Sequence, residues 1–138
     1  MIRLIFLLFF VGHVQCQFCM LQFKENWVDT SIGSPFFSGP QKSDADCKKL
    51  CIARQDCVTA DYSYDAKRCK LFNLKGVMYL GESEKGKTNA WIKFPTSNCG
   101  DNSQLDQAIN QGTVKTLSDG KKYLIRWQNK STLHIARQ

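Results

Sequence analysis

Four cysteines crowd into one stretch, Asp46–Cys69 (DCKKLCIARQDCVTADYSYDAKRC), at Cys47, Cys51, Cys57 and Cys69. Thiols this dense can ligate a metal, act as a nucleophile or cross-link the chain. Zinc sites use cysteine pairs roughly two to four residues apart, or cysteine mixed with histidine. Here the gaps widen along the chain, and His134 is the sole histidine beyond residue 16. A thiol nucleophile needs a base within reach, and that one histidine sits far along in the C-terminal part. Cross-linking is the reading that remains. No catalytic residue, metal ligand or cofactor site is nominated, and the chain is not expected to be an enzyme.

Cysteine parity supports that reading. Met1–Cys16 (MIRLIFLLFFVGHVQC) carries one early positive charge at Arg3, then the apolar run Leu4–Val11, then a short polar end. This is the layout of a secretory signal peptide, and its apolar run falls far short of the roughly 20 residues a membrane span needs. Cleavage after Cys16 reduces the seven cysteines to six: Cys19, Cys47, Cys51, Cys57, Cys69 and Cys99. An even number in a small exported chain implies a disulfide framework, though parity leaves many connectivities open. Loss of Arg3 leaves 18 basic against 12 acidic side chains, formally +6. A basic exported protein is drawn to acidic partners such as sulfated glycans, anionic cell surfaces or acidic proteins. Nucleic acid is not expected, nor stable membrane insertion.

The elements that must hold the cysteines can be read in order. Cys19–Thr30 begins with Leu21 and Phe23 alternating with Gln22 and Lys24, a half-buried strand pattern. Ser31–Gln41 is punctuated by Gly33, Pro35, Gly39 and Pro40 and reads as a loop, with Phe36 and Phe37 packed beneath it. Ser43 can cap a helix whose first turn holds Asp44 and Asp46. Cys47 and Cys51 are four apart and share one face of that helix, which should lie on a sheet. The helix should end near Arg54–Asp56, where Arg54 suits the C-terminal dipole. Cys57–Tyr64 and Arg68–Leu74 read as paired strands joined by a turn at Asp65–Lys67, with Asp61 and Asp65 as solvated carboxylates at the strand end. Gly76–Thr88 is a second hairpin or loop region, and Asn89–Phe94 is a strand with Trp91 inside. Past Cys99 the cysteines stop: residues 100–138 form an extension, either an added hairpin around Ser118–Lys121 or a truncated second domain.

A helix bearing cysteines four apart (Cys47, Cys51), a third just after it (Cys57), an A-x-Y-x-Y strand (Ala60, Tyr62, Tyr64) and a C-x-L strand (Cys69, Leu71) resemble the PAN/apple domain. The resemblance spans 17–99. It implies an α+β fold, one helix packed on a curved antiparallel sheet of about five strands, cross-linked by disulfides. Carried across residue by residue, it implies the pairs Cys47–Cys69 and Cys51–Cys57. The apple subgroup adds a bridge between the domain ends, which here would be Cys19–Cys99.

Binding is then the expected work: a secreted, non-enzymatic extracellular module recognising a protein or an acidic glycan in adhesion or recognition. The alternative is a secreted inhibitor or antagonist of a protease, receptor or adhesive surface. A matrix component and a fragment of a larger enzyme are weaker rivals. Lys48 and Lys49 on the helix, with Lys67, Arg68 and Lys70 around the hairpin, form the candidate basic patch. Interspersed Asp44, Asp46, Asp56, Asp61 and Asp65 give a competing picture of a charge-mixed, solvated surface. Trp27, Tyr62, Tyr64, Tyr79 and Trp91 are candidates for stacking against a sugar, with Tyr64 or Tyr79 the more exposed. Asn129-Lys130-Ser131 fits an N-glycosylation acceptor.

Overall fold

Ser43 starts the helix as expected. Its backbone is extended (φ −152°, ψ 164°) and its hydroxyl accepts from the Asp46 amide, with Asp44 and Asp46 in the first turn of α1 (Asp44–Ala53). The computed structural model describes residues 18–23, 26–28, 34–74, 77–82, 87–96, 109, 111–128 and 132–138. The expected leader 1–16, Cys99 and the Asn129 acceptor lie outside the described residues. The buried residues of α1 are Cys47 and Cys51, so sulfur rather than a broad aliphatic stripe fastens it. Cys47 is bonded to Cys69 and Cys51 to Cys57, the pairs the resemblance implies. Cys19 is also disulfide-bonded; its expected partner is Cys99.

One five-stranded antiparallel sheet lies under the helix. Its strands are β1 (Phe18–Phe23), β3 (Phe37–Pro40), β4 (Thr59–Ser63), β5 (Arg68–Phe72) and β7 (Thr88–Pro95), in the order β1-β7-β4-β5-β3. The expected pairing of the two cysteine-bearing strands is present, with Tyr62 opposite Cys69 and Ala60 opposite Leu71. The segment read as a loop around Gly39 and Pro40 instead supplies β3, the edge strand next to β5. Proline is tolerated there because an edge strand need not donate from both sides.

The fold holds more than the single sheet expected. A second five-stranded antiparallel sheet runs β2-β6-β10-β9-β8, from β2 (Asn26–Val28), β6 (Val77–Glu82), β8 (Thr113–Thr116), β9 (Lys122–Trp127) and β10 (Leu133–Arg137). The β8–β9 hairpin turns at Ser118–Lys121, where Gly120 adopts φ +77°. β10 joins β9 on one side and β6 on the other. Three strands of the C-terminal extension and two from the cysteine-containing region therefore share one sheet.

Side chains alternate across each strand, and this sorts the core into two layers. Ala60, Tyr62, Leu71 and Trp91 face the helix and surround the cystines. Leu21, Phe23, Phe72, Ile92 and Phe94 face the other way, into one cluster with Val28, Leu80, Tyr123, Ile125, Leu133 and Ile135 of the second sheet. The order is helix, sheet, sheet. Among the described residues no helix is long and apolar enough to cross a membrane.

Candidate ligand-binding cleft

The second sheet covers only part of the face it packs on. Along β4 that face carries Thr59, Asp61 and Ser63. The cross-strand partners in β5 are Phe72, Lys70 and Arg68, and in β7 Ile92, Ala90 and Thr88. Thr59, Phe72 and Ile92 at one end are fully buried, whereas Ser63, Arg68 and Thr88 at the other reach solvent. Polar side chains take over where apolar cover ends. There Asp61, Ser63, Ala66, Arg68, Lys70 and Thr88 line a cleft of about 270 Å³.

Asp61 is the buried member, 5 % exposed, and is not the solvated turn carboxylate expected from its place beside Asp65. Its Oδ2 accepts from the Val28 amide at 3.0 Å, linking the first sheet to β2 of the second. Burial pushes its carboxyl up to about 6, against the opposing pull of the Val28 amide and the Lys70 ammonium. Asp65 is exposed and pairs with Lys87. Arg68 donates to Ser38 Oγ at 3.1 Å, which braces its guanidinium along the edge of the sheet. Ser63 Oγ accepts from the Ala66 amide in the turn that closes the hairpin. Lys67 adopts φ +48° in that turn, a backbone conformation disfavoured by its side chain.

The five basic residues read from the sequence do not converge. Cys69 points at the helix, so its neighbours Arg68 and Lys70 point to the opposite face of the sheet. Lys48 and Lys49 ride on α1. Lys48 Nζ sits 5.5 Å from the centre of the Trp91 ring, while Lys49 is exposed. Only Arg68 and Lys70 of the set line the cleft. Asp61, Ser63 and Thr88 are the cleft residues that sequence reasoning did not nominate as a site. One available signal was β5 itself: on one face it changes from Arg68 and Lys70 to buried Phe72 within five residues.

The aromatic candidates are mostly structural. Tyr62 and Trp91 are buried in the layer beneath the helix. Tyr64 is half-buried; its hydroxyl donates to Asp44 and accepts from Asn89, and burial with Asp44 nearby pushes its pKa up. Tyr79 lies on the second sheet beside His134, ring centres 5.0 Å apart. Burial, with Arg126 adding to it, lowers the His134 pKa. The side chain of Trp27 lies outside the described residues. Among the described residues these rings form no shared platform.

Arg54 does not supply the cation at the helix end. Its backbone caps α1 and its side chain turns outward, pairing with Asp56 and lying 5.1 Å from the Phe36 ring centre. Lys93 of β7 reaches that end from beneath, donating to Cys51 O at 3.0 Å and Arg54 O at 2.9 Å.

The four cysteines that opened the question of a metal are paired in disulfides, and a cystine sulfur offers no thiolate to zinc. No family model matches this chain, and no curated protein or solved structure matches it.

Proposed function

We propose that this protein is a secreted, PAN/apple-like binding module that recognises an acidic extracellular ligand, a glycan or a protein, without transforming it. The observation that carries the reading is the cleft. Two cations, two hydroxyls and a buried carboxyl meet on the open end of a sheet face, held by a cross-linked scaffold. A pre-ordered surface loses less conformational freedom on binding than a loose one. The paired cystines favour an oxidising compartment, and the helix-on-sheet arrangement with its two disulfides supports the resemblance.

Acidic glycans fit the cleft through Arg68 and Lys70. The test is retention of the disulfide-intact protein on arrayed glycans at low and physiological salt. Retention of acidic glycans that weakens with salt, as screened surface charge requires, is expected to disappear on changing both Arg68 and Lys70 to Ala. The double change of Lys48 and Lys49 to Ala is expected to leave it intact. Absence of acidic-glycan retention at low salt removes the glycan and leaves an acidic protein as the ligand, whereas retention lost only with Lys48 and Lys49 overturns the role of the cleft.

A further inference from the structure

The charge and size of the cleft narrow the ligand further. Arg68 and Lys70 contribute two positive charges, and the carboxyl of Asp61 stands among the same six lining residues. At pH 7.5 that carboxyl is largely ionised, so the described lining carries a net charge of one rather than two. Of the candidate basic patch, Lys48 and Lys49 stand on the helix side of the sheet, and Lys67, in the turn between Ala66 and Arg68, is the one further member beside the cleft, which is less than a continuous basic track. A long polyanion brings many charges and needs such a track. The volume, about 270 Å³, lies just below the roughly 300–1,000 Å³ range of drug-sized pockets. That is room for one sugar ring. The lining sets two hydroxyls and three charged groups beside the Ala66 methyl and the aliphatic stems of the two cations. A sugar ring, with hydroxyls on its edge and C–H groups on its faces, can match that mixture.

Resting on the proposed binding role of this cleft, we infer that it takes one monoanionic sugar ring, with the carboxylate against Arg68 and Lys70, and that Asp61 discriminates against rings of higher charge. Asp61 faces Lys70 and Arg68 from β5, Ala90 and Thr88 from β7, and the Val28 amide from β2. Its position opposite Lys70 fixes how much positive charge remains for the ligand. Replacing its carboxylate by an amide retains an acceptor for the Val28 amide and removes the negative charge. Asp61 is thus a specificity residue whose loss should strengthen binding of a more highly charged ring, which a merely structural role would not do.

The experiment is calorimetric titration of the disulfide-intact full chain at pH 7.5. The probes are glucuronic acid, glucose, a glucuronic acid that also carries a sulfate, sulfated uronate oligosaccharides of increasing length, and an acetylated tripeptide with a free C-terminal carboxylate. Glucuronic acid is expected to bind about tenfold or more tightly than glucose, the scale of one charge-assisted contact. It should also outbind the sulfated ring and the tripeptide. Arg68→Ala should reduce glucuronic acid to the level of glucose, and Asp61→Asn should raise the affinity for the sulfated ring. Oligosaccharide affinity should grow no faster than the number of acidic rings. Steeper growth with length, equal binding of the tripeptide, or no gain for the sulfated ring in Asp61→Asn overturns the single-ring inference while leaving acidic-ligand binding standing. Absence of binding by every acidic probe overturns both.

Discussion

The ammonium of Lys93, on a residue only 1 % exposed, donates to the carbonyl of Cys51 across the helix–sheet boundary. With its second bond to Arg54 O it adds a cation to carbonyls that also accept from the Arg54 and Cys57 amides, at the negative end of the helix dipole. The last turn of α1 contains no basic residue of its own. The Phe18 ring lies 4.7 Å from the ammonium, so the cation is enclosed by carbonyls and an aromatic face. Burial lowers the Lys93 pKa, and Asp56 partly opposes this. Lys93→Ala loses two charge-assisted bonds and leaves a cavity, at an expected cost of about 3 kcal/mol in urea unfolding. Lys93→Met keeps most of the volume and should cost about half as much. A methionine variant more stable than the parent would show that desolvating the ammonium outweighs what its bonds return.

The carboxyl of Asp61 ties stability to pH. Its folded pKa is about 6 against an ordinary 3.8. Between these values the folded chain keeps a proton that the unfolded chain has released. Stability from this group is therefore greatest below the unfolded value, falls as pH rises through the window, and is level above about 6. The full span corresponds to something on the order of 3 kcal/mol. Denaturant unfolding at intervals from pH 3.5 to pH 7.5 should show that decline in the parent and a much flatter profile in Asp61→Asn. Equal slopes in the two proteins would place the titration elsewhere.

The two cystines that fasten α1 should contribute unequally. Cys47–Cys69 closes 22 residues of sequence and Cys51–Cys57 closes 6. Restriction of the unfolded chain grows with the logarithm of loop length, so removing the longer link should cost about 1 kcal/mol more. Paired alanine variants of each bridge, compared by urea unfolding, check this. A larger loss from Cys51–Cys57 would mean that its hold on the end of α1 outweighs the loop effect.

Ending the chain at residue 99 should abolish cooperative folding. Leu117, Tyr123, Ile125, Leu133 and Ile135 are each fully buried in the layer between the sheets. At about 1.5–3 kcal/mol per large apolar side chain, their loss rivals the whole stability of a small domain. The truncated chain is expected to bind a hydrophobic dye and to lack a sharp thermal transition. A sharp transition near that of the full chain would show that residues 18–99 hold together by themselves.

Much of the first sheet was legible in the residues. Ser43 at the cap, cysteines four apart on α1, and alternation in β1, β4, β5 and β7 are local signals. Each depends on a few consecutive residues and on backbone geometry. β3 was hidden because Gly39 and Pro40 look like loop residues until an edge position excuses them. β10 is hard to read locally because LHIAR is short and holds only two large apolar residues, Leu133 and Ile135, alternating with His134 and Ala136. Its strand character depends on β6, more than fifty residues earlier, and on β9 for partners.

The sequence by itself determined the cross-linked unit: where the helix starts, which face carries sulfur, and which two strands lie below it. The tertiary structure decided what that unit is part of and where its polar face opens. Pairing between distant strands brought the C-terminal residues over one end of the sheet and, among the described residues, left the other end uncovered. Alternation about Cys69 then turned Arg68 and Lys70 away from Lys48 and Lys49, and pairing set Asp61 opposite Lys70. Charges that are neighbours in sequence were thereby divided between two faces, because a strand gives successive residues opposite directions and only the assembled sheets decide which direction meets water.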